Sequence, residues 1–471
     1  MQPSSAYRPK PRLPDLGPEF ADPVRGADFP KTVLRFRNQR AAATVGLDSL
    51  SDEAWTSHFG RFVPLPGNFA EPLAQRYHGH QFRVYNPDLG DGRGFTFAQM
   101  LEVGTDRLLD LGTKGSGPTP WSRQGDGRLT LKGGVREVLA TAMLEALGVP
   151  TSKSFSLIET GEDLTRGDEP SPTRSAVLFR LSHSHIRFGT FQRQAYLERP
   201  DLTQRLITYS IETYYPDLLG SPDPAVALLN AVVARAAHLT GRWIAAGFVH
   251  GVLNTDNMNL TGESFDYGPY RFLPHNDPNF VAAYFDHQGL YSFGRQPEAV
   301  FWNLQQLAGA LSVATTDQDG LVAALNGFGG AYRVELTAAM LARLGMESQT
   351  AETDAALVGS AFRALGSGGA ALRWEPFFFD WFCGNHERAM ASPRVSVYSS
   401  VEFDEFRGAI STYIPLNGQT LSAGYFARAE PEELLIDEIE AIWSDIAQAD
   451  DWSRFNAKLA TIEVARLAYQ L

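Results

Sequence analysis

The sequence predicts an α+β protein in which a strand-rich segment with one clear helix precedes a longer, mostly helical segment. Residues 95–101 and 107–111 have the composition of two strands joined by a turn at Gly104. Apolar residues within 133–148 recur at helical spacing, which predicts an amphipathic helix. From about residue 191 onward, long segments with the same helical period dominate the chain.

Residues 1–65 are predicted to be an irregular extension that packs along the body without forming a domain. Only residues 39–46 suggest a short helix there. Proline fixes φ and lacks a backbone N–H, so it interrupts regular elements. The prolines of this stretch include Pro9, Pro11, Pro14, Pro18, Pro23 and Pro30.

Residues 66–190 are predicted to form the small, β-rich part of the protein. Beyond the first strand pair and the helix, two more strands are expected at 154–158 and 176–181. A polar, hairpin-like loop at 161–172 separates them. The segment is therefore a sheet with one helix.

Residues 191–471 are predicted to be helical, and in one segment Pro431 suits the first helical position. The chain thus has a small sheet lobe followed by a larger helical lobe, with candidate metal ligands just past the boundary. This order predicts a protein-kinase-like bilobal fold. The catalytic loop of that fold would lie at 250–268. The predicted helices span 202–214, 225–246, 297–312, 332–344, 354–365, 431–448 and 452–469.

Composition excludes several classes of protein. The chain has 471 residues, 44% of them hydrophobic, so it can bury a large core. A single cysteine, Cys383, excludes an internal disulfide framework and a zinc site built from cysteines. The net charge of -13 argues against a nucleic-acid partner. No run approaches the roughly 18 apolar residues of a membrane span, and no secretory signal is visible. We expect a cytoplasmic monomer without a membrane partner.

The most informative stretch runs from His250 to Asn257 and is followed by Asp266. Asn257 and Asp266 are oxygen ligands of the kind that hold the magnesium of phosphoryl-transfer enzymes. Kinase-type loops place their catalytic Asp two residues after His, where this chain has Val252, and the carboxylate stands instead at Asp256. Asn and Asp also bond their own backbone in turns, so an ordinary turn remains an alternative for this segment taken alone.

Two upstream segments could bind phosphates. Gly90 and Gly92 would allow backbone amides to approach a phosphate closely, and Arg93 would add a charge-assisted bond. Such a cluster is also typical of a turn between strands. Lys114 stands at a strand end and could pair with nucleotide phosphates, held by Glu137 of the following helix. Glu137 lies away from the apolar stripe, which fits a site-facing carboxylate or a solvated one.

Between these residues, Asp126 and Gly127 lie in a loop that could contact a nucleotide or simply turn the chain. Arg180 lies inside an apolar strand, where an unpaired charge is costly, so it needs an anionic partner. Arg187 follows seven residues later, and two guanidinium groups could grip a terminal phosphate. The neighbouring histidines at 183 and 185 lack a third ligand in the nearby sequence, which disfavours a metal site there.

Several motifs together resemble the selenoprotein O family, the YdiU proteins of bacteria. They follow one another in order through much of the chain, and several are long and unusual. The resemblance is carried by residues 77–82 (YHGHQF), 90–93, 114–123, 186–189, 250–258 and 303–305.

The resemblance implies a kinase-like fold with nucleotidyltransferase activity. Family members bind ATP in a flipped orientation and transfer AMP to Ser, Thr or Tyr hydroxyls of proteins, with release of pyrophosphate; transfer of UMP from UTP has also been ascribed to them. By resemblance, Asp256 is the proton acceptor, and Asn257 and Asp266 bind Mg2+ or Mn2+. Glu137 is the helix partner of Lys114. The implied nucleotide contacts are Gly90, Gly92, Arg93, Lys114, Asp126, Gly127, Arg180, Arg187 and Asp266.

Two other functions remain open from the residues themselves. A phosphotransferase could use Asp256 as a displaced base, and Val252 would also suit a nucleotide-binding pseudokinase scaffold. The sequence names neither the target proteins nor the preferred nucleotide. Many family members end in a segment with cysteine or selenocysteine, whereas this sequence ends in 463–471 without one. We therefore expect no redox regulation through such a tail.

Overall fold

An antiparallel sheet in the first 182 residues forms the framework for the cleft described below. The computed structural model describes residues 3–167, 169–416, 421 and 424–471. Within these residues the sheet has eight strands in the spatial order β1-β3-β6-β7-β10-β9-β2, with β8 paired to β10. Its strands are β1 (Ala21–Pro23), β2 (Val33–Arg37), β3 (Leu73–Gln75), β6 (Thr96–Leu101), β7 (Leu108–Lys114), β8 (Leu129–Thr130), β9 (Lys153–Leu164) and β10 (Thr173–Ser182).

In the part of the chain that the structure describes, four short strands lie outside this sheet. A hairpin of β4 (Gly79–Gln81) and β5 (Val84–Asn86) forms one pair. The other pair is β11 (Phe248–Val249) and β12 (Arg271–Phe272), which brackets the predicted catalytic loop. The chain therefore enters and leaves that loop at adjacent points, so its residues are held as one unit.

The expectation of an irregular segment at 1–65 is wrong in detail. This stretch supplies β1 and β2 to the two ends of the sheet, and it contains helices α1 (Gln39–Ala43) and α2 (Asp52–Arg61). Prolines obscured the short edge strands, where a missing N–H is tolerated. Ser51, directly before α2, is a residue type that typically caps helices. Its hydroxyl does so here by accepting from the Ala54 amide at 3.3 Å.

The predicted strand pairs of the sheet are present. The pair β6 and β7 lies where the sequence indicated, and β9 and β10 are longer than expected: β9 extends into the predicted loop at 161–172, and β10 begins directly after that loop. The outer half of this hairpin is partly exposed and polar, so it lacks the continuous apolar run that marked the inner half.

The single helix predicted in this half is α3 (Leu131–Ala146). The Thr130 hydroxyl caps it by accepting from the Gly133 amide at 3.1 Å. Its apolar face packs on β9 and β10, and the last helix of the chain packs on another side of it. The helix is thereby fixed between the sheet and the C-terminal end of the described chain.

From residue 188 onward the chain is mainly helical, as predicted. The expected helices are present, but the one predicted from Pro431 begins at Ile436; the preceding residues are non-helical, and Glu432 there pairs with Lys458. The helices are α4 (Phe188–Tyr196), α5 (Pro200–Tyr214), α6 (Pro224–Ala245), α7 (Gln296–Leu311), α8 (Gln318–Asn326), α9 (Phe328–Leu344), α10 (Ala351–Gly368), α11 (Trp374–Trp381), α12 (His386–Ala391), α13 (Val395–Tyr398), α14 (Asp404–Ile410), α15 (Ile436–Ala449) and α16 (Ser453–Tyr469).

Mixed α and β structure with a sheet-rich N-terminal region is thus established. Among the described helices, none combines the length and the apolar character needed to cross a membrane.

The N-terminal segment should contribute strongly to stability through α2. Phe59 is fully buried and its ring packs against those of Trp55, Phe155 and Phe179 at centroid distances of 4.6, 5.4 and 5.1 Å. Phe59→Ala should lower the free energy of unfolding by about 3–5 kcal/mol, the usual cost of deleting a buried aromatic ring. Chemical denaturation measures this change.

The control is Val63→Ala, which truncates a side chain just after α2 that is 44% exposed. It should change the free energy of unfolding by no more than about 0.5 kcal/mol. Equal effects of the two substitutions would show that α2 is not part of the stable core.

Candidate active site

A cleft of about 820 Å³ lies beside the sheet and is closed on one side by the loop between β11 and β12. All the predicted site residues except Glu137 line it. Those lining residues are Gly90, Gly92, Arg93, Lys114, Asp126, Gly127, Arg180, Arg187, Asp256, Asn257 and Asp266. Residues that are far apart in the chain therefore meet in one cavity large enough for a nucleotide.

Lys114, at the end of β7, is paired with Glu137 of α3. The Lys114 Nζ lies 2.6 Å from Glu137 Oε2 and 3.4 Å from Asp266 Oδ1. The Glu137 side chain is only 1% exposed, which excludes the solvated alternative for this residue. A buried carboxylate needs such a partner, so Glu137 stands behind Lys114 and holds its ammonium group toward the cleft.

Asp266 is shared by three basic side chains. Its Oδ1 accepts a close hydrogen bond from Arg180 Nη1, and its Oδ2 accepts one from Arg187 Nη1 at 2.8 Å. Lys114 is the third cation. Burial alone would raise the pKa of Asp266, but the charges of Arg180, Lys114 and Arg187 hold that pKa well below its usual value. Asp266 is thus ionised, and it supplies the anionic partner that Arg180 required.

Asp256 lies nearby in a single helical turn, 255–257. Its main-chain carbonyl accepts from Arg187 Nη1 at 2.7 Å, while its side-chain Oδ1 is buried and has no hydrogen-bond partner among the residues that the structure describes. Burial raises the pKa of Asp256 to about 6. A carboxylate with an unpaired oxygen and an elevated pKa is suited to accept a proton.

The residues at this point also fit a divalent cation. Asn257 donates its side-chain Nδ2 to the Val252 carbonyl at 2.9 Å, which leaves the amide oxygen available for a cation. The carboxylate of Asp266 is the second oxygen donor. Mg2+ prefers such oxygens and usually completes its coordination with water and phosphate oxygens, so few protein ligands are needed.

Histidine-based metal binding has no support in the part of the chain that the structure describes. There, no group of three or more His, Cys, Asp or Glu side chains is arranged to hold a metal ion. The ring of His183 packs edge-on against Tyr214, and His185 Nδ1 lies 3.5 Å from Asp110 Oδ2. His185 is thus buried in the interior, and His183 is half-buried.

The glycine-rich turn is fastened to the loop that follows β7. Thr119 donates its hydroxyl to the Asp91 carbonyl at 2.6 Å, and Ser122 donates to the Gly92 carbonyl. A Cβ on Gly90 would lie 2.4 Å from Cγ of Trp121, so only glycine fits beneath that indole ring. The turn therefore depends on its glycines for packing as well as for access to the cleft.

Asp126 lies at the outer rim of the cleft. Its carboxylate pairs with Arg166, whose Nη1 lies 2.8 Å from Asp126 Oδ2, and its side chain is 49% exposed. Arg166 comes from the loop between β9 and β10 and also lines the cleft. Sequence patterns did not point to this arginine, because the polar loop that carries it has no recognisable motif.

The hairpin of β4 and β5 packs against the loop at 250–268. The His80 amide donates to Thr255 Oγ1 at 2.7 Å, and the Phe82 amide donates to Asn254 Oδ1 at 3.0 Å. A Cβ on Gly79 would lie 3.1 Å from Cβ of Asp256, so the hairpin contacts the loop closely. The YHGHQF motif thus has a structural role beside Asp256.

His250 connects the two halves of the loop. Its buried ring nitrogen Nε2 lies 3.0 Å from the Phe265 carbonyl, and its amide donates to Gln296 Oε1 at 3.0 Å. Burial lowers the pKa of His250, so its ring is neutral. The histidine therefore holds the backbone next to Asp266 in place and has no direct part in the cleft.

Comparison with known proteins agrees with this geometry. The family described as "Protein adenylyltransferase SelO" matches residues 4–463. The chain belongs to the SelO family. Membership of this family classes the protein as a nucleotidyltransferase.

Three similar proteins are each named protein nucleotidyltransferase YdiU. The protein of Gloeobacter violaceus is 45% identical over 95% of this chain and 93% of its own length. That of a Synechocystis species is 44% identical over 95% and 96%, and that of Synechococcus elongatus is 42% identical over 96% and 94%. The SelO match therefore extends over both the sheet region and the helical region.

The Lys114–Glu137 pair should be important for stability. Glu137→Gln removes the charge behind a buried ammonium group and should lower the free energy of unfolding by about 3 kcal/mol, as loss of one partner of a buried pair does. The control is Glu298→Gln, whose carboxylate is 53% exposed and pairs with Arg83 and Arg295. It should change the free energy of unfolding by less than about 1 kcal/mol. Denaturant titration of both variants measures the difference, and equal effects would contradict the assigned role.

Proposed function

We propose that this protein transfers AMP from ATP to Ser, Thr or Tyr hydroxyls of other proteins, releasing pyrophosphate with the help of Mg2+ or Mn2+. The observation that carries the proposal is the cluster of Lys114, Arg180 and Arg187 around Asp266, directly beside Asp256. This arrangement combines three fixed positive charges with a candidate base. Transfer of a phosphate-containing group requires both features.

We also propose that the chain has a protein-kinase-like bilobal arrangement. The Lys114–Glu137 pair joins a central strand to α3, as the corresponding pair joins a strand to a helix in kinases. On this proposal residues 66–190 form the N-lobe, and residues 191–471 form the C-lobe with its catalytic loop at 250–268. Residues 1–65 then extend the N-lobe sheet at both ends.

The phosphates of ATP would be held by charge and by backbone approach. Lys114, Arg180 and Arg187 line the cleft. Their ammonium and guanidinium groups can donate hydrogen bonds to phosphate oxygens in place of Asp266. Gly90 and Gly92 open the neighbouring turn to the ligand. Arg93, Asp126 and Gly127 would contact the nucleotide from the rim.

A divalent cation would be held by Asn257 and Asp266, and it would neutralise phosphate charge and fix an in-line geometry. Lys114, Arg180 and Arg187, which surround Asp266, would bind phosphate oxygens beside this site.

Asp256 would act as the base. The hydroxyl oxygen of the target protein attacks the α-phosphorus, and its proton passes to the unpaired Oδ1 of Asp256. The bond from the α-phosphorus to the bridging oxygen breaks, and pyrophosphate leaves with the electron pair. Arg180 and Arg187 would stabilise the charge that develops on this leaving group.

One observation also keeps a second function under consideration. Val252 lines the cleft at the place where kinases carry their base, so a phosphotransferase would have to use Asp256 from a different point of the loop. A nucleotide-binding scaffold without transfer is the non-enzymatic counterpart of this idea. ATP labelled separately on its α- and γ-phosphates distinguishes these functions.

The purified protein should transfer label to protein only from α-labelled ATP. Autoradiography after denaturing electrophoresis, with the protein itself and a mixture of candidate proteins as acceptors, provides the measurement. Transfer from γ-labelled ATP would exclude adenylylation as the activity. Tight ATP binding without transfer of either label would favour the scaffold, and parallel reactions with α-labelled UTP measure the nucleotide preference.

Substitution of the two carboxylates should have different consequences. Asp256→Ala should lower the rate of transfer by at least about a hundredfold, since a general base contributes roughly that much, and should leave the affinity for Mg-ATP nearly unchanged. Asp266→Ala should reduce both transfer and the metal dependence of ATP binding. Isothermal titration with and without EDTA, together with transfer assays, separates these effects.

The matched control is Asp217→Ala, which removes an exposed carboxylate remote from the cleft lining. It should leave both transfer and binding unchanged. Full activity of Asp256→Ala would remove this residue from the mechanism, and unchanged metal dependence in Asp266→Ala would remove Asp266 from the metal site.

A further inference from the structure

Arg187 is held from several sides before any ligand arrives. Its Nη1 donates to the Asp256 carbonyl at 2.7 Å and to Asp266 Oδ2 at 2.8 Å. Its guanidinium carbon lies 4.6 Å from the ring centroid of Tyr77 and 4.8 Å from that of Phe265. The side chain is 4% exposed, so its direction is determined by these neighbours.

One more carboxylate reaches Arg187, and it comes from the glycine-rich turn. Asp91 lies between Gly90 and Gly92, and its Oδ1 is 3.5 Å from Arg187 Nη2. The other oxygen, Oδ2, accepts from the Gln75 amide at 3.0 Å. This bond fixes the carboxylate, whose side chain is 11% exposed, with Oδ1 toward the arginine.

The two carboxylates around Arg187 differ in what else they hold. Asp266 is shared with Lys114 and Arg180, and it is the residue that the proposed cation would engage. Asp91 has no second basic partner among the described ion pairs. If Asp266 binds the proposed cation, Asp91 is therefore the carboxylate that stays paired with Arg187.

We propose that Asp91 is a positioning residue that keeps the Arg187 guanidinium directed at the β- and γ-phosphates while Asp266 engages the metal. The pair also ties the glycine-rich turn to the catalytic loop, because Arg187 binds the Asp256 carbonyl at the same time. The identity of the phosphates rests on the function proposed above. The pairing of Asp91 with Arg187 is independent of it.

If Asp91 had a purely structural role, its substitution would affect nucleotide binding in a different way. In that case the carboxylate would serve only to shape the turn through Gln75, and its loss would disturb all nucleotides alike. Asp91→Asn retains an oxygen that can accept from the Gln75 amide while it removes the charge facing Arg187. The substitution therefore separates the two roles.

The experiment compares the affinities of ATP and AMP, measured by isothermal titration or by competition in the presence of Mg2+. Asp91→Asn should weaken ATP binding about tenfold and leave AMP binding within about twofold, because AMP lacks the phosphates that Arg187 would contact. Equal weakening of both ligands, or no weakening of ATP, would overturn the proposal.

Two controls test whether the effect acts through Arg187. Ser122→Ala removes a hydroxyl that binds the Gly92 carbonyl, so it loosens the same turn without touching the arginine, and it should affect ATP and AMP equally. In an Arg187→Gln background, Asp91→Asn should have no further effect on ATP affinity. A tenfold loss that persists in this background would show that Asp91 acts elsewhere.

Thermal unfolding of each variant verifies that it is folded at the assay temperature. If Asp91→Asn fails that test, Asp91→Ser provides the same comparison without introducing an amide donor toward Arg187, and it should show the same difference between ATP and AMP. Because binding is measured without group transfer, a protein that binds ATP with this pattern but transfers no AMP would contradict the proposed function and leave the role of Asp91 intact.

Discussion

The arrangement of the cleft depends on the ionised carboxylate of Asp266. Lys114 comes from a central strand, Arg180 from the next strand in the sheet, and Arg187 from the start of α4, yet all three meet at this one group. Three buried cations would repel one another without a shared anion. Asp266 therefore stabilises the three buried cations in the absence of a phosphate ligand, whose own negative charge would otherwise do so.

The surrounding elements hold Asp266 and the neighbouring loop residues in fixed positions. The β11–β12 pair joins the two ends of the loop, His250 fixes the backbone next to Asp266, and the β4–β5 hairpin braces the other end. Glu137 limits the freedom of Lys114 from behind. The pocket is consequently preorganised by main-chain bonds and buried ion pairs, so little rearrangement is needed when a charged ligand enters.

Local patterns predicted a large part of this arrangement. Arg180 required an anion because it interrupts an apolar strand, and Lys114 with Glu137 fitted a strand–helix pair; both interpretations agree with the observed contacts. The partners Asp91 and Arg166 could not be identified in this way, since their contacts depend on how distant turns meet. The strands at 21–23 and 33–37 were missed because short edge strands lack a periodic signal, and the helix expected at Pro431 was displaced because the acidic residues there form tertiary ion pairs instead.

The packing of α16 on α3 has a consequence for how the protein is made. Leu459 and Ile462 of α16 share a cavity of about 300 Å³ with Val138 and Ala142 of α3. During synthesis α3 emerges early, but its outer side stays uncovered until residues 453–469 have been made. A nascent chain that lacks these residues has the sheet and the basic residues of the cleft, but it lacks the outer support of the helix that carries Glu137. The helix that carries Glu137 is therefore fully supported only when residues 453–469 are docked against it.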